Sequence, residues 1–229
     1  MKIEQKFLTT NQYSRPSTKI GTIKQVVVHW VANPGTAAIN NRNYFEGLKA
    51  GKKDAKGNYI YASSHYIVGL DGEVIQCIPE IEVAYHANQA NRQAIGIENC
   101  HPDWNGQFNP KTYESLIKLL ADICTRHNLD PMTGIIRHHD VTGKDCPKYY
   151  IQNPAEWDKV KKDVKKEMNN QPNFKNIKLN IHGKLTEVQG VYFNNINYVP
   201  IRVLERLGYE IDWDKATETV LIDYARQVK

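Results

Sequence analysis

The feature of this sequence that most restricts its fold is a run of three valines, Val26 to Val28, that leads into His29 and Trp30. A strand with one face in solvent alternates apolar and polar residues, whereas an unbroken β-branched run is typical of a strand buried inside a sheet. We therefore expect an α/β fold in which this strand is central and helices flank the sheet. The hydrophobic content of 41% supplies enough apolar side chains for such a core.

Helix and strand patterns continue to residue 168. Apolar side chains at helical spacing predict a helix over about 110–128, with Asn109 as its N-cap and Pro110 in its first turn. The Asp71-Gly72 turn predicts a hairpin. The other predicted elements are a helix at 37–50, the hairpin strands at 64–68 and 73–78, strands at 94–98 and 135–138, a loop at 141–147, and a helix from residue 154.

The pattern changes after residue 168. Residues 169–177 are polar and aperiodic, which is typical of a linker. Residues 178–229 alternate in short strand-like pieces around one short predicted helix at 199–207, and so short a segment forms only a small core. The predicted organisation is a large N-terminal domain over 1–168, a linker over 169–177 and a small C-terminal α+β module over 178–229.

Several classes of protein are excluded by patterns that the sequence lacks. No apolar run approaches the ~20 residues that span a bilayer, and residues 1–6 lack the apolar stretch of a secretory signal. We therefore expect no membrane association and a cytoplasmic location at synthesis. The four cysteines form no CxxC pair, which excludes a four-cysteine zinc ribbon, and neither a Walker loop nor a GxGxxG motif is present.

Residues 138–147 concentrate reactive side chains, with two histidines, two aspartates, a lysine and a cysteine. Histidine and cysteine are preferred zinc ligands, and three protein ligands plus a water define a hydrolytic zinc site. His138 and Cys146 are the candidate ligands from this segment, and His29 at the end of the valine strand is the third. His139 competes with His138 for the same role.

A hydrolytic zinc site also needs a base for the proton of water and a cation for the oxyanion. Glu98 ends an apolar strand, where burial near the metal would raise its pKa. Lys144 lies two residues before Cys146 and could point into the same cleft. On local sequence alone, Glu98 and Lys144 are equally well explained as solvated charges.

The order and spacing of these motifs resemble the type-2 N-acetylmuramoyl-L-alanine amidases, which share a fold with peptidoglycan recognition proteins and many phage endolysins. The resemblance covers roughly residues 20–150. The segments that carry it are Val26-Val27-Val28-His29, Ser64-His65-Tyr66-Ile67-Val68, Ala84-Tyr85-His86-Ala87, Ile95-Gly96-Ile97-Glu98, Arg137-His138 and Gly143-Lys144-Asp145-Cys146-Pro147.

The resemblance implies a central mixed β-sheet with a zinc cleft. It also implies hydrolysis of the amide between N-acetylmuramic acid and L-alanine in bacterial peptidoglycan. His29, His138 and Cys146 would hold Zn²⁺, Glu98 would activate water, and Lys144 would stabilise the oxyanion. Such an enzyme would act on the cell wall after release, as a phage or prophage endolysin does.

The choice between His138 and His139 depends on the family spacing. Cys146 lies eight positions after His138, which is the interval usual in the family. Ser64 stands where some relatives carry a tyrosine, and this departure favours the mechanism that uses a carboxylate.

Three more side chains are candidates for contact with the substrate. His65 and His86 each have either a substrate contact or a structural role. Trp30 is either a platform for a sugar ring or a packing residue. Asp140 and Asp145 are either partners of a metal ligand or ordinary loop carboxylates.

The C-terminal module is similar to modules of the copper amine oxidase N-domain type. The segments that carry this resemblance are Tyr198-Val199-Pro200-Ile201-Arg202, Leu207-Gly208-Tyr209, Asp212-Trp213-Asp214 and Thr219-Val220. No copper is expected, because His182 is the only histidine of the module. The resemblance implies a unit that binds the cell wall or forms a homodimer.

Three alternative functions stay open at this level. The first is a protein that binds peptidoglycan without cutting it, although such relatives would be expected to lose Cys146 or Lys144. The second is a thiol hydrolase in which Cys146 is the nucleophile and His29 or His138 the base. The third is a recycling amidase that acts on soluble muropeptides.

The net charge of +5 is unevenly distributed. Residues 178–229 carry seven basic and seven acidic side chains, so the whole excess lies in residues 1–177. A basic catalytic domain favours approach to an anionic cell wall, in a way that salt should weaken. Nucleic acid is therefore not an expected partner.

Overall fold

The computed structural model describes residues 2–170, 173–181, 184–193, 196–207, 209–214, 217 and 219–224. The chain forms two compact units, Met1–Met168 and Asn169–Lys229.

A six-stranded sheet forms the centre of the first unit. Its strands are β1 (Ile3–Gln5), β2 (Gln25–Trp30), β3 (Tyr66–Val68), β4 (Val74–Gln76), β5 (Ala94–Asn99) and β6 (Ile135–Arg137). Their order is β1-β4-β3-β5-β2-β6, and each neighbouring pair is parallel except the β3–β4 hairpin. The predicted α/β fold with a central mixed sheet is confirmed, and the valine strand β2 lies between β5 and β6.

Helices pack on both faces of this sheet. They are α1 (Ala38–Gly47), α2 (Pro110–Arg126), α3 (Pro131–Gly134), α4 (His138–Thr142), α5 (Lys148–Gln152) and α6 (Pro154–Asn170), with 3₁₀ helices at Leu48–Ala50 and Asn88–Arg92. Helix α2 begins as predicted, because the side chain of Asn109 accepts a hydrogen bond of 2.9 Å from the amide of Thr112.

Alternation along the strands separates the two faces of the sheet. One face packs against α2 and α6 in a single buried cluster, and the other packs against α1 at its β3–β4 side. Because successive side chains of a strand point to opposite faces, Val27 and His29 of β2 share this second face with Gly96 and Glu98 of β5. The candidate catalytic groups therefore lie opposite the face covered by α2 and α6.

Four segments differ from the sequence prediction. The strand predicted at 135–138 ends at Arg137, and the loop predicted at 141–147 is preceded by the short helix α4, which reaches Thr142. The linker predicted over 169–177 is wrong, because α6 continues to Asn170 and the next strand starts at Asn173. Strand β1 was not predicted, since only three residues pair with β4 at the edge of the sheet.

The described part of the second unit consists of short antiparallel strands. They are β7 (Asn173–Ile181), β8 (Lys184–Phe193), β9 (Ile196–Tyr198), β10 (Tyr209–Asp214) and β11 (Thr219–Tyr224), in the sheets β7-β8-β9 and β10-β11. The helix predicted at 199–207 is a 3₁₀ helix, Ile201–Leu207. Among the residues that the structure describes, no helix of either unit is long and apolar enough to cross a membrane.

Candidate active site

The pairing of β2 with β5 places two of the candidate residues side by side. His29 and Glu98 are register partners in these parallel strands, and their side chains point to the same face. Glu98 Oε1 lies 4.0 Å from His29 Nδ1. The backbone ladder of the sheet therefore sets the separation between this histidine and this carboxylate.

A short helix and a turn bring the remaining ligand candidates to His29. Helix α4 starts at His138, directly after β6. Gly143 ends the helix in the left-handed conformation, at φ 75°, which glycine adopts without strain. The chain then turns back, and the amide of His139 donates a hydrogen bond of 2.9 Å to the carbonyl of Cys146. Cys146 thereby returns to the start of α4.

These elements bring together His29, His138 and Cys146. Their ligand atoms all lie within 4.8 Å of one another. His29 Nδ1 is 3.1 Å from His138 Nδ1 and 3.7 Å from Cys146 Sγ. Three donor atoms converge on one point, as zinc ligation requires.

The electrostatic environment keeps the two histidines neutral. Burial, followed by the neighbouring His86, His138 and Lys144, lowers the pKa of His29 well below its usual value. Burial and then Lys144 lower the pKa of His138 to about 4. A neutral imidazole has a lone pair for a metal ion, so both rings fit a ligand role.

The environment of Cys146 shifts its pKa in the opposite direction from the pKa of the two histidines. Burial, followed by the charge of Glu98, raises the pKa of its thiol above the usual value. A nucleophilic cysteine needs a lowered pKa, so this environment argues against the thiol hydrolase. A metal ion, by contrast, displaces the proton of a coordinating thiol.

Glu98 is the most unusual group of the site. Its side chain is only 16% exposed, and its Oε2 atom is buried without a hydrogen-bond partner. Burial raises the pKa of Glu98 to about 8, although Lys144 acts in the opposite direction. An unpaired buried carboxylate is costly to maintain, and a pKa close to the operating pH suits a general base.

The three ligand candidates, the candidate base and the candidate cation line one cavity of about 810 Å³. These five candidate residues are His29, His138, Cys146, Glu98 and Lys144. Lys144 lies there on the exposed turn between Gly143 and Cys146. Sequence reasoning missed the tyrosines of the cavity wall, because they belong to three separate segments. They are Tyr44, Tyr61 and Tyr85; only Tyr85 had a signal, as the neighbour of His86 in a motif.

His65 was predicted as a candidate substrate contact, and the structure corrects this. Its side chain is fully buried. Its Nδ1 accepts a hydrogen bond of 2.9 Å from the amide of Gly96, and its Nε2 donates one of 2.9 Å to the carbonyl of Glu82. Both ring nitrogens are used inside the fold, so His65 has a structural role.

His86 and Trp30 line the cavity, and their rings also have contacts inside the fold. The ring nitrogens of His86 bond to the carbonyl of Ala94 and to His29, which leaves neither for a substrate. Trp30 is 9% exposed and stacks on His101 at 4.6 Å between ring centroids. Its ring therefore packs inside the fold, and a contact of Trp30 with the substrate stays a prediction.

The remaining polar residues of the 138–147 segment stabilise the segment itself. His139 Nδ1 is 3.1 Å from the carbonyl oxygen of Lys144, away from the ligand cluster. Asp140 accepts hydrogen bonds from the guanidinium and the amide of Arg137. Asp145 is exposed in the turn.

The comparison with known proteins agrees with this geometry. Residues 19–149 match the family model described as N-acetylmuramoyl-L-alanine amidase, and this range includes all five candidate residues. The chain is 35% identical over 176 residues to a probable N-acetylmuramoyl-L-alanine amidase of Bacillus licheniformis. That alignment covers 72% of this chain and 47% of the relative, so the chain spans about half the length of that protein.

Solved structures show the same fold. The catalytic domain of XlyA superposes with a TM-score of 0.58 at 26% identity, over 72% of this chain and 99% of that domain. A mutant endolysin from Bacillus subtilis superposes with a TM-score of 0.57 at 27% identity, over 71% of this chain and 98% of the endolysin.

Proposed function

The chain belongs to the N-acetylmuramoyl-L-alanine amidase family, and from this membership we propose that it hydrolyses the amide between N-acetylmuramic acid and L-alanine in bacterial peptidoglycan. One observation carries the proposal. The two neutral imidazoles of His29 and His138 converge with the thiol of Cys146. Beside them lies Glu98, a buried carboxylate whose Oε2 has no hydrogen-bond partner. This combination suits the hydrolysis of an unactivated amide.

Zinc fits the donor set. Two imidazoles and one thiol lie within 4.8 Å of one another, and tetrahedral zinc accepts nitrogen and sulfur ligands while it keeps a fourth position open. Zinc at this point would supply a Lewis acid that polarises the scissile carbonyl and acidifies water. His29, His138 and Cys146 would hold it.

Glu98 and Lys144 perform the proton and charge steps. Glu98 accepts the proton of the attacking water and, after the tetrahedral stage, returns it to the nitrogen of the leaving L-alanine. Burial raises the pKa of Glu98 in the metal-free chain, which favours this carboxyl group as both acceptor and donor of the proton. Lys144, exposed at the mouth of the cavity, offers its ammonium group to the oxyanion.

The proposed setting is the bacterial cell wall. The family and the names of the relatives support peptidoglycan as the substrate, and the positive charge of residues 1–177 suits an anionic wall. We assign the chain the role of a phage or prophage endolysin, made in the cytoplasm and active on the wall after release. The similarity to a Bacillus subtilis endolysin supports this role.

The direct test is digestion of purified peptidoglycan by the full chain. New L-alanine amino termini should appear, a chelator should abolish their release, and added zinc should restore it. Binding to the wall without new termini would identify a non-catalytic protein. Full activity after metal removal, blocked by thiol alkylation, would identify a thiol hydrolase. Faster turnover of soluble muropeptides than of sacculi would identify a recycling enzyme.

For residues 178–229 we propose a unit of the copper amine oxidase N-domain type that binds the wall or forms a homodimer. Its net charge is zero, so wall binding would depend on shape and hydrogen bonds. Light scattering of the full chain and of a variant truncated after residue 168 tests dimerisation, and sedimentation with purified wall tests binding. If the truncated variant matches the full chain in both measurements, neither role applies.

A further inference from the structure

His86 is a buried histidine in direct contact with His29, and the amidase mechanism proposed above gives it no task. It is 9% exposed. Its Nε2 lies 3.2 Å from the carbonyl oxygen of Ala94, and its Nδ1 lies 3.2 Å from His29 Nε2. The two rings meet edge to face, with centroids 5.3 Å apart.

These contacts fix the positions of the ring protons one after another. A carbonyl oxygen only accepts hydrogen bonds, so His86 must carry its proton on Nε2 and donate it to Ala94. In a neutral His86 ring, Nδ1 then holds a lone pair and can only accept a hydrogen bond. His29 must then donate from Nε2 to His86 Nδ1. In a neutral ring, His29 Nδ1 is left unprotonated.

The unprotonated nitrogen of His29 is the one that faces the ligand cluster. His29 Nδ1 is the atom 3.1 Å from His138 Nδ1 and 3.7 Å from Cys146 Sγ. The opposite tautomer would place a proton at the centre of the cluster, where it would block ligation. The partner of His29 thus determines whether its lone pair points to the metal position.

The fold holds His86 in this position from two sides. The amides of His86 and Ala87 donate hydrogen bonds of 3.0 and 2.7 Å to the side-chain oxygen of Asn91. On the sheet side the ring lies over Gly96, where an added Cβ would come within 2.5 Å of His86 Cγ. Gly96 is the residue of β5 that pairs with Val27, so the missing side chain leaves room for the ring beside β2.

We propose that His86 is a positioning residue that fixes the tautomer of His29 and thereby presents Nδ1 of His29 to the metal. Two hydrogen bonds in series connect the carbonyl of Ala94 through the rings of His86 and His29 to the ligand cluster. Its significance for zinc rests on the proposed function, but the arrangement of protons is a property of this chain without metal.

The first test reads the tautomers directly in the metal-free full chain. Long-range ¹H–¹⁵N NMR correlations distinguish a protonated Nδ1 from a protonated Nε2 in each histidine. We expect both His29 and His86 to carry the proton on Nε2. A His29 ring protonated on Nδ1 would overturn the proposal, whatever the outcome of the activity assay.

The second test measures zinc affinity by competition with a chromophoric chelator. His86→Phe keeps the bulk of the ring but removes the acceptor, and it should weaken zinc binding about 10–100-fold. His86→Asn places an oxygen at the δ position and should restore most of this loss. Glu80→Gln, which removes a buried carboxylate outside the cavity lining, should destabilise the fold without changing zinc affinity.

The variants separate a positioning role from a structural one. Wild-type zinc affinity in folded His86→Phe would overturn the proposal, and so would an Asn variant as weak as the Phe variant. If His86→Phe does not fold, the NMR measurement and His86→Asn still decide. If the wild type itself binds no zinc, the proposed function fails, while the tautomer result is unaffected.

Discussion

Two glutamates of the first unit are buried to a similar extent in opposite electrostatic surroundings. The side chain of Glu98 is 16% exposed and that of Glu80 is 12% exposed. Glu80 accepts hydrogen bonds of 2.6 and 2.8 Å from Arg126, one of 2.9 Å from His127 and one of 2.7 Å from Tyr66. Glu98 has an oxygen with no partner at all.

The pKa values of the two side chains follow from these contacts. Burial alone would raise the pKa of Glu80, but hydrogen bonds from Arg126, His127 and Tyr66 outweigh it and lower the pKa to about 2. Burial raises the pKa of Glu98 to about 8, and the opposing effect of Lys144 is smaller. At similar burial, Glu80 is thus an anion that stabilises the fold, whereas Glu98 is a carboxyl group that can exchange a proton near neutral pH.

The same substitution at the two positions should separate catalysis from structure. Glu98→Gln removes the proposed base and is expected to reduce amidase turnover by about 10²–10⁴-fold, with zinc content unchanged. Glu80→Gln should leave the turnover of the folded enzyme within a few-fold of wild type. The measurement is the rate of release of L-alanine amino termini at matched zinc content. Near-normal rates in Glu98→Gln would remove Glu98 from the mechanism.

Within the described part of the chain, Lys144 is the group that lowers the pKa of Glu98, so its replacement should widen the difference in pKa between Glu98 and Glu80. Lys144→Met also takes away the cation offered to the oxyanion, and we expect a loss of about 10²–10³ in turnover. Lys111→Met is the matched control, because Lys111 is exposed and paired with Asp71 outside the cavity. Equal activity of the two variants would contradict the role of Lys144.

For the free energy of unfolding, the order of the two substitutions should be reversed: Glu80→Gln should have the larger effect and Glu98→Gln the smaller. In the metal-free protein at pH 7, Glu80→Gln weakens the contacts with Arg126 and Tyr66 and is expected to cost about 2 kcal/mol. The cost is moderated because Arg126 is 41% exposed. Glu98→Gln removes a carboxyl group whose Oε2 has no hydrogen-bond partner and should not destabilise the chain. Urea denaturation in the presence of a chelator measures the free energy of unfolding of both variants. An equal decrease in the two variants would contradict the difference in hydrogen bonding between Glu80 and Glu98.

The pH dependence of the metal-free protein gives the finest test. Because the folded pKa of Glu80 is lowered, its contribution is present above the unfolded value near 4.5 and is lost as the pH falls toward 2. Because the folded pKa of Glu98 is raised, its contribution is present below about 4.5 and is lost as the pH rises through about 8. Glu98→Gln should therefore flatten the decline of stability with rising pH, measured by urea denaturation from pH 5 to 9. An unchanged slope would contradict the raised pKa.

The sequence predicted the parts of the fold that depend on local pattern. The valine run, the Asp71-Gly72 turn and the capped helix after Asn109 each specify an element through neighbours in the chain, and all three are present. The resemblance to the amidases also pointed to the residues that converge in the ligand cluster. Helix α4 was missed, because five residues are too few to show helical periodicity.

The roles of the other histidines could not be predicted, because they depend on which atoms each ring meets across the fold. His65 and His86 belong to equally suggestive motifs, yet one bonds to Gly96 and Glu82 and the other to His29. Trp30 is the instructive exception. Side chains alternate along a strand, so a residue directly after His29 must point to the opposite face. The direction of the Trp30 side chain could therefore be predicted from the sequence of β2.

The register between β2 and β5 also determines where this chain can change in length. His29 and Glu98 are paired through backbone ladders about 4.8 Å apart, and β5 also carries Gly96 beneath the ring of His86. A single inserted or deleted residue in either strand would turn His29 or Glu98 to the other face. The turn that carries Lys144 is constrained as well, because the hydrogen bond from the amide of His139 to the carbonyl of Cys146 returns Cys146 to the start of α4. Variation in length during evolution or design therefore has no room within the two strands that carry the proposed base and the first proposed ligand.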